Sequence, residues 1–528
     1  MTLPPSSAAT DPSRRTVLKA FSLGTVLALA GCSSAVTEQN AAAKGKAAQP
    51  GGTLKMGLTQ DLIPGNFFTN SSAGLTTTMG LVFETLIRYP NDKVEAQPFL
   101  ATSWQLAEDG KFLTLLLRDD VTFHDGRPFT SKDVEFSLKT YADPKWNGQL
   151  KSTAQAITSY DTSKPHEVTL HFAHPLSNIF DLLDTAPIVD SESIEELGLG
   201  KKYNGTGPFT FVSWTPNSKL VFAKNPSYWV PDRPYLDGVE VSIIPSSTSL
   251  LSAVKSRQLS LANGVSYRDI ETVSDSGGFS FIQGAGAEQQ VYVGANVTAA
   301  GLNDIRLRQA IAYALDRQRI IDEVFRGSGY VINLPWPTYS VAYDEAKNRT
   351  YGRDLAKAKS LVAAIGDVPE LPLSYNATDA SLTATAQILQ SDLRAAGIPV
   401  KLDPLDGAQF VKQLIGAQFP GIWTTFHSWA QYTPSTLAVS AYPFNAAKNS
   451  SQFSAADYSQ HANGSWVVPD GAGQQALTEY AALSDDLLEY LFLIEIGVVQ
   501  PRWLHADSLV DASYTKRWEL QLTDAYLT

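Results

Sequence analysis

The chain of 528 residues has a single cysteine, Cys32, and seven histidines. One cysteine excludes both a disulfide within the chain and a cysteine metal cluster. No two histidines lie four residues apart, the spacing at which a helix presents two metal ligands on one face. We therefore expect no metal centre and no cofactor.

The chain also lacks basic runs and long apolar runs. Its net charge is −12, and no stretch rich in lysine or arginine supplies the basic face that nucleic-acid binding requires. The apolar run at 20–31 is too short to span a bilayer, and the run at 487–499 is interrupted by Glu489 and Glu495. We expect the later run to lie in a protein core.

The motifs of common hydrolases are missing as well. The sequence contains no G-x-S-x-G, no H-E-x-x-H, and no S-x-x-K with its companion motifs. Acidic residues are numerous, but their spacing singles out no catalytic pair. The sequence therefore predicts a protein that is not an enzyme.

The first 50 residues resemble an export and anchoring signal. Arg14 and Arg15 form a twin-arginine pair, and residues 20–31 fit the apolar part of a signal peptide. Leu-Ala-Gly-Cys at 29–32 resembles a bacterial lipobox, in which the cysteine receives a lipid. We predict a signal peptide at 1–31, lipidation of Cys32 and a flexible tether at 32–50. Export by the twin-arginine route and export by the general secretory route both stay open.

The stretch 98–138 predicts a hairpin, a loop and a helix. Residues 98–101 suggest a helical turn, 103–106 and 112–117 two strands, and Ser131 an N-cap for the helix that follows. His124 and Asp125 could form a catalytic pair, but Asp and Gly in the loop 124–128 favour a turn. We expect this stretch to be scaffold.

The same stretch contains a series of short motifs in close succession: L-A-x-S-W at 100–104, D-G at 109–110, L-R at 117–118, F-H-D-G-x-P at 123–128 and D-V-x-F-S-L at 133–138. In order and spacing they resemble the signature region of the family 5 extracellular solute-binding proteins, the peptide, nickel and oligosaccharide receptors of bacterial ABC importers. Further resemblances are G-T-G-P-F at 205–209, N-P-x-Y-W at 225–229 and a helix at 304–321. No single piece is specific, but their order and spacing are.

The resemblance implies an α/β fold of the two-lobed, type II periplasmic-binding-protein kind, with mixed sheets flanked by helices and a ligand cleft between the lobes. Domain I is expected at 51–288 with an extra subdomain at about 90–205, and domain II at 289–499. Residues 500–528 are expected to return to domain I, so that the chain crosses twice between the lobes and forms a hinge. In domain II, residues 355–365 predict an amphipathic helix that ends at Gly366. A strand at 371–375, a helix at 383–396 and a strand at 399–402 predict a parallel strand pair.

The candidate ligand site is the aromatic stretch 421–434, where the family's ligand loop lies. Aromatic walls with a few polar groups are typical of ligand clefts, although an aromatic core is the alternative. The predicted ligand-binding residues are Trp423, Phe426, His427, Trp429, Gln431 and Tyr432.

This stretch departs from the peptide-binding pattern W-x-x-D-x-x-x-P, in which the acid pairs with the ammonium group of a peptide. No acidic residue lies between Trp423 and Pro434, and Ala430 or Gln431 occupies the place of the acid. A peptide with a free amino terminus would lose that contact. Neutral polar ligands such as oligosaccharides, and blocked peptides, become more plausible. A lone His427 gives little support to nickel.

The predicted function is a lipid-anchored receptor on the outer face of the cytoplasmic membrane. It would capture a peptide-like or other polar nutrient and deliver it to the permease subunits of an ABC importer, as a monomer and without binding nucleic acid. The alternatives are a ligand sensor or a secreted hydrolase at the same location, because a fold by itself does not settle function.

Overall fold

The computed structural model describes residues 48–69, 72–286, 289–428 and 431–528. The predicted signal peptide, Cys32, the tether as far as residue 47, Glu288 at the predicted domain boundary and Trp429 lie outside these residues. The described residues from Pro50 to Leu527 form one compact unit.

The first strand lies in the middle of a seven-stranded mixed sheet. It pairs in parallel with two strands that come more than 180 residues later, and the outer strands are antiparallel. In spatial order the strands are β12 (Phe279–Gln283), β19 (Arg502–Ala506), β11 (Leu261–Asn263), β1 (Thr53–Leu58), β10 (Gly238–Ile243), β9 (Lys219–Lys224) and β8 (Phe209–Thr215).

A second mixed sheet of six strands is built from the later part of the chain. Its spatial order is β14 (Gly329–Val331), β18 (Leu493–Val499), β13 (Gln289–Ala295), β17 (Ile422–His427), β15 (Leu371–Asn376) and β16 (Val400–Leu405). We call the part of the chain around the seven-stranded sheet the first lobe and the part around the six-stranded sheet the second lobe.

A four-stranded antiparallel sheet and three short ribbons complete the β-structure of the described residues. The four-stranded sheet has the order β4 (Ala101–Leu106), β5 (Phe112–Leu117), β7 (Glu167–Phe172) and β6 (Ile157–Lys164). The ribbons pair β2 (Ile87–Arg88) with β3 (Gln97–Pro98), β20 (Leu509–Val510) with β23 (Tyr526–Leu527), and β21 (Ser513–Tyr514) with β22 (Leu520–Gln521).

Helices flank these sheets. In the earlier part of the chain they are α1 (Ala73–Val82), α2 (Ser131–Ala142), α3 (Lys151–Gln155), α4 (Ile179–Thr185), α5 (Ile194–Gly198), α6 (Ser247–Lys255) and α7 (Tyr267–Ser274). In the later part they are α8 (Ile305–Ala314), α9 (Arg317–Glu323), α10 (Leu355–Ile365), α11 (Ala380–Ala395), α12 (Gly407–Gly416), α13 (Pro434–Ser440), α14 (Ala456–Trp466) and α15 (Gln474–Tyr490). None of the described helices combines the length and the apolar character that a membrane crossing needs.

The chain passes between the two sheets twice, and the two passages lie side by side. β12 pairs with β19 in the first lobe, and β13 pairs with β18 in the second, so the crossings continue one antiparallel ribbon. Between these pairs, the Gly284 backbone N–H donates to the Pro501 carbonyl oxygen over 2.8 Å. The two lobes are therefore joined by one narrow double connection.

Local predictions in the signature region hold in part. β5 spans the predicted residues 112–117, and His124 and Asp125 lie in a turn. The predicted helical turn at 98–101 is wrong, because Pro98 pairs with Ile87 in a ribbon. The N-cap is Thr130 rather than Ser131, since the Thr130 backbone N–H donates to the Asp133 carboxylate over 2.8 Å.

The predictions for the second lobe are close to the structure. β15 and β16 pair in parallel across α11, as predicted, and α10 has the predicted bounds. The single helix predicted at 304–321 is wrong, since the chain forms α8 and α9 instead. The break occurs where the Asp316 side chain caps the second helix by accepting from the Arg319 backbone N–H.

Candidate functional site

Polar side chains meet at one end of the second-lobe sheet, on β13, β17 and β18. Gln290 lies opposite His427, and Tyr292 lies opposite Glu495. Paired residues, and alternate residues along one strand, point to the same face of a sheet. These four side chains therefore share one face, beside the point where the chain enters and leaves the lobe.

The side chains of His427 and Glu495 reach over the middle strand and bond to each other. His427 Nε2 lies 2.8 Å from Glu495 Oε1, and both residues are buried. The Tyr292 ring packs against the His427 ring edge to face, with 5.5 Å between their centroids. The Arg317 guanidinium donates to the Glu495 backbone oxygen over 2.8 Å, and burial lowers the pKa of Arg317 to about 10 against the attraction of the Glu495 carboxylate.

Several polar atoms of this group have no hydrogen-bond partner within the described part of the chain. They are Nε2 and Oε1 of Gln290, Nδ1 of His427 and Oε2 of Glu495. All three residues are buried, with exposed fractions of 5% or less. Burial of each such atom without a partner lowers the stability of the protein by about 1–3 kcal/mol. The cluster can therefore form further hydrogen bonds with a polar group.

Trp423, a predicted ligand residue, belongs to the core of the second lobe. Its ring is fully buried, stacks on Phe419 at 4.6 Å between centroids, and its Nε1 donates to the Tyr292 hydroxyl over 3.4 Å. A Cβ atom at Gly294, the residue paired with Trp423, would lie 2.1 Å from its ring. The glycine therefore makes room for the indole.

The other predicted ligand residues are dispersed. Phe426 is half-buried and, next to His427 on β17, points to the opposite face, where it contacts Phe325 with 6.0 Å between ring centroids. Tyr432 is buried among apolar residues of the first lobe. Gln431 is buried four residues beyond His427. Of the predicted set, the structure thus brings His427 into the cluster, whereas Trp423 and Tyr432 serve as core residues of different lobes.

Sequence reasoning missed Gln290, Tyr292 and Glu495 as parts of this cluster. Glu495 carried a usable signal, because a charged residue inside an otherwise apolar strand needs a partner. Gln290 and Tyr292 carried none, since their position depends on pairing with strands 130 to 200 residues away. Within the described ranges, no group of three or more His, Cys, Asp or Glu side chains could hold a metal ion.

A second polar cluster joins the two lobes around Asp181 on α4. Its carboxylate accepts hydrogen bonds from the Tyr89 hydroxyl (2.8 Å), from the Thr433 backbone N–H (3.1 Å) and hydroxyl (3.0 Å), and from the Thr436 hydroxyl (2.6 Å). Tyr89 and Asp181 come from the first lobe, whereas Thr436 lies on α13, whose Leu437 packs in the second-lobe core. We call this contact the Asp181 clasp.

Neighbouring side chains extend the clasp. Asn178 donates from Nδ2 to the Thr436 hydroxyl over 2.9 Å and accepts at Oδ1 from the Trp466 indole N–H over 2.9 Å. The hydroxyl groups of Ser177 and Ser435 lie 2.8 Å apart. The two lobes therefore meet through directional hydrogen bonds between buried side chains, not through apolar contact alone.

Burial raises the pKa of Asp181 to about 6, although the four hydrogen bonds that its carboxylate accepts act in the opposite direction. The ionised carboxylate of Asp181 is thus stabilised by hydrogen-bond donors from both lobes, but its burial is unfavourable. Tyr89, which donates to the same carboxylate, has its pKa raised by burial and by the negative charge of Asp181.

Two lobes joined by a double connection, with polar residues where they meet, are the architecture of the periplasmic binding proteins. The AgaA binding protein from A.tumefacien R10, solved in complex with agropinic acid, has this fold: its structure matches 90% of this chain and 99% of its own with a TM-score of 0.78 at 23% identity.

The sequence comparisons define the family. The model for bacterial extracellular solute-binding proteins, family 5 Middle, matches residues 95–451, and the chain belongs to that family. It is similar to the oligopeptide-binding protein AppA of Bacillus subtilis, with 25% identity over 76% of this chain and 78% of AppA. It is also similar to a probable di/tripeptide-binding protein 5 of Pseudomonas aeruginosa, with 26% identity over 69% and 75%. The predicted resemblance and fold class are confirmed, and the family consists of extracytoplasmic solute-binding proteins of ABC importers, not enzymes.

We expect Gly294→Ala to destabilise the protein by about 1–3 kcal/mol, because the added methyl group overpacks against the Trp423 ring. Urea denaturation measures the loss. Gly65→Ala is the matched control, since nothing lies within 4 Å of a Cβ atom there. Equal losses in the two variants would contradict the role of Trp423 as a fixed core residue.

We expect Asp181 to make folding less favourable as the pH rises from about 4 to 6. In that range the folded protein keeps a proton on Asp181 and the unfolded chain does not, so the free energy of unfolding falls by up to about 1.4 kcal/mol per pH unit. Asp181→Asn removes this contribution, so the wild-type stability relative to the variant should fall by about 3 kcal/mol across the range.

Urea denaturation of both proteins between pH 4 and 7 checks this expectation. Asp119→Asn, at an exposed position, is the control and should keep the wild-type pH dependence. A constant difference between the wild type and Asp181→Asn at every pH would show that Asp181 does not titrate in this range.

Proposed function

We propose that this chain is a lipid-anchored receptor that captures a peptide-like or other polar nutrient between its two lobes and delivers it to the permease subunits of an ABC importer. The observation that carries the proposal is the narrow double connection between the lobes together with the Asp181 clasp. A receptor that encloses a ligand needs one hinge and one surface at which the lobes meet.

The domain assignment that fits this mechanism places residues 51–288 and 500–528 in one moving body and 289–499 in the other. The hinge then lies at the paired crossings, near Gly284 and Pro501. Closure brings α13 against Asp181 and encloses the end of the second-lobe sheet. His427 and Gln431 remain our proposed ligand contacts from the aromatic stretch.

Membrane attachment rests on the sequence at 29–32. Cleavage before Cys32 and transfer of a diacylglycerol to its thiol would leave the body on a tether of about 18 residues. A single acyl chain gives only weak membrane binding, whereas a lipid with two chains holds a protein stably at the surface. The receptor would thereby stay close to its permease.

A ligand sensor is the alternative function, because the same closure could report a ligand without transport. The similarity to proteins named for oligopeptide and di/tripeptide binding favours transport of a peptide-like solute. The two functions make opposite predictions in a strain without the permease.

We expect mass spectrometry of the membrane fraction to find a mature chain that begins at Cys32 and carries the mass of a diacylglycerol and no residues from 1–31. Cys32→Ala should abolish the lipid mass and leave the amino-terminal segment uncleaved at that site. A wild-type protein without lipid on Cys32 would contradict the anchor, and it would leave the binding function intact.

We expect deletion of the partner permease to abolish uptake of the solute that is released from the purified, denatured receptor and identified by mass spectrometry. Deletion of the receptor should abolish uptake to the same extent, since capture precedes transport. A cellular response to the solute that persists without the permease, with uptake unchanged in both strains, would favour the sensor.

A further inference from the structure

We propose that Glu495, together with Gln290 and His427, binds an amino or guanidinium group of the ligand. This subsite extends the proposed function, because it presupposes a solute held between the lobes. It also names a chemical class, whereas the aromatic stretch by itself suggested neutral ligands.

The unpaired donors and acceptors of the cluster support this class. Within the described part of the chain, Glu495 Oε2 and Gln290 Oε1 are acceptors without a partner, and Gln290 Nε2 is a donor group without one. His427 Nδ1 is a further ring nitrogen without a partner there, and its role depends on the tautomer. A hydroxyl group offers one hydrogen, whereas an ammonium or guanidinium group offers several N–H donors. A group rich in N–H therefore satisfies the most atoms.

The unpaired carboxylate oxygen of Glu495 favours a group that donates N–H hydrogens. Arg317 is buried nearby and interacts electrostatically with Glu495, but its guanidinium donates to the backbone oxygens of Glu495, Ala312 and Tyr351 and does not occupy that oxygen. One oxygen of Glu495 is held by His427, which fixes the side chain and leaves Oε2 free. Hydrogen bonds between charged groups are shorter and about twice as strong as neutral ones.

The proposal requires that a ligand reaches the cluster when the lobes part. Gln290 is the second residue of β13, directly after the first crossing, and it pairs with Val498 just before the second crossing. His427 is the last residue of β17. Gln290 and His427 thus lie at the hinge end of the sheet, which the proposed rotation about the crossings would uncover.

The cluster also contains an acidic residue, which the neighbouring loop lacks. No acidic residue lies between Trp423 and Pro434, yet Glu495 places a carboxylate next to His427, which belongs to that same stretch. A cationic group of the ligand would thus meet an acid that comes from β18 instead of from the loop. The expectation that such ligands lose their contact then no longer holds.

The first test compares matched compounds with the full mature protein by thermal shift. The probes are trialanine with N-acetyltrialanine, agmatine with putrescine, and maltotriose as a neutral polyol. We expect trialanine, agmatine or putrescine to raise the unfolding midpoint and acetylation to abolish the effect of trialanine. Agmatine carries one guanidinium and one ammonium group, whereas putrescine carries two ammonium groups, so stabilisation by agmatine alone would indicate guanidinium recognition.

The second test measures the affinity of the stabilising probe by calorimetry. Glu495→Gln should weaken it about 10- to 100-fold, the range for loss of a charged hydrogen-bond partner. Glu489→Gln is the control, because it removes the same charge at an exposed position six residues away and should leave the affinity unchanged.

Gln290→Met gives a readout that a purely structural role would not produce. Because both amide atoms of Gln290 are buried without partners, the apolar replacement should raise the unfolding midpoint of the ligand-free protein. The same variant should weaken binding of the cationic probe. A residue that only supports the fold would lower the midpoint and leave the affinity of the folded fraction unchanged.

The outcomes separate this inference from the proposed function. Stabilisation by maltotriose or N-acetyltrialanine alone, or an equal affinity in Glu495→Gln and wild type, overturns the cationic subsite and leaves the receptor function standing. No stabilisation by any amino or guanidinium probe overturns the subsite as well. A stabilising cationic probe whose uptake does not depend on the permease supports the subsite and contradicts transport.

Discussion

The antiparallel ribbon that links the lobes is the constraint on which the rest of the structure depends. The ribbon continues into β12 and β19 in the first lobe and into β13 and β18 in the second. Two paired strands keep their register along their length, but the bodies at their ends can rotate relative to each other. In the proposed function, this ribbon is the hinge about which the lobes close. Gln290 and His427 lie at the hinge end of the second-lobe sheet.

The two polar clusters differ in how completely their hydrogen bonds are satisfied. In the Asp181 clasp, the carboxylate accepts hydrogen bonds from donors of both lobes. These bonds define how the two lobes contact each other. The cluster at Glu495 has an internal hydrogen bond, yet within the described ranges it keeps donors and acceptors without a partner. Buried polar groups with all their hydrogen bonds formed favour one arrangement of the fold. Buried polar groups without a partner lower the stability of the protein unless another group binds to them. This contrast supports our proposal that the cluster at Glu495 is a ligand contact, whereas the Asp181 clasp is a contact between the lobes.

The sequence predicted elements whose information is local. α10, the β15–α11–β16 unit and β5 follow from apolar periodicity and capping within a few residues, and the ordered motifs at 98–138 identified the family. The polar cluster at the end of the second-lobe sheet was harder to predict. An aromatic stretch is typical of a ligand cleft and of a core alike, and Trp423 in that stretch fills a core over Gly294. Gln290 and Glu495 meet only through pairing of distant strands, and a single sequence carries no sign of that pairing. The break between α8 and α9 was missed for a local reason, since Asp316 acts as an N-cap within an apparently continuous helix.

Small-angle X-ray scattering tests closure about the ribbon most directly. The mature protein would be stripped of bound molecules by unfolding and refolding, measured, and measured again after saturation with the molecules released from the native protein. Calorimetry on the same samples would verify saturation. Closure of the lobes around a ligand predicts a smaller radius of gyration in the saturated sample. An unchanged radius of gyration at verified saturation would contradict the account.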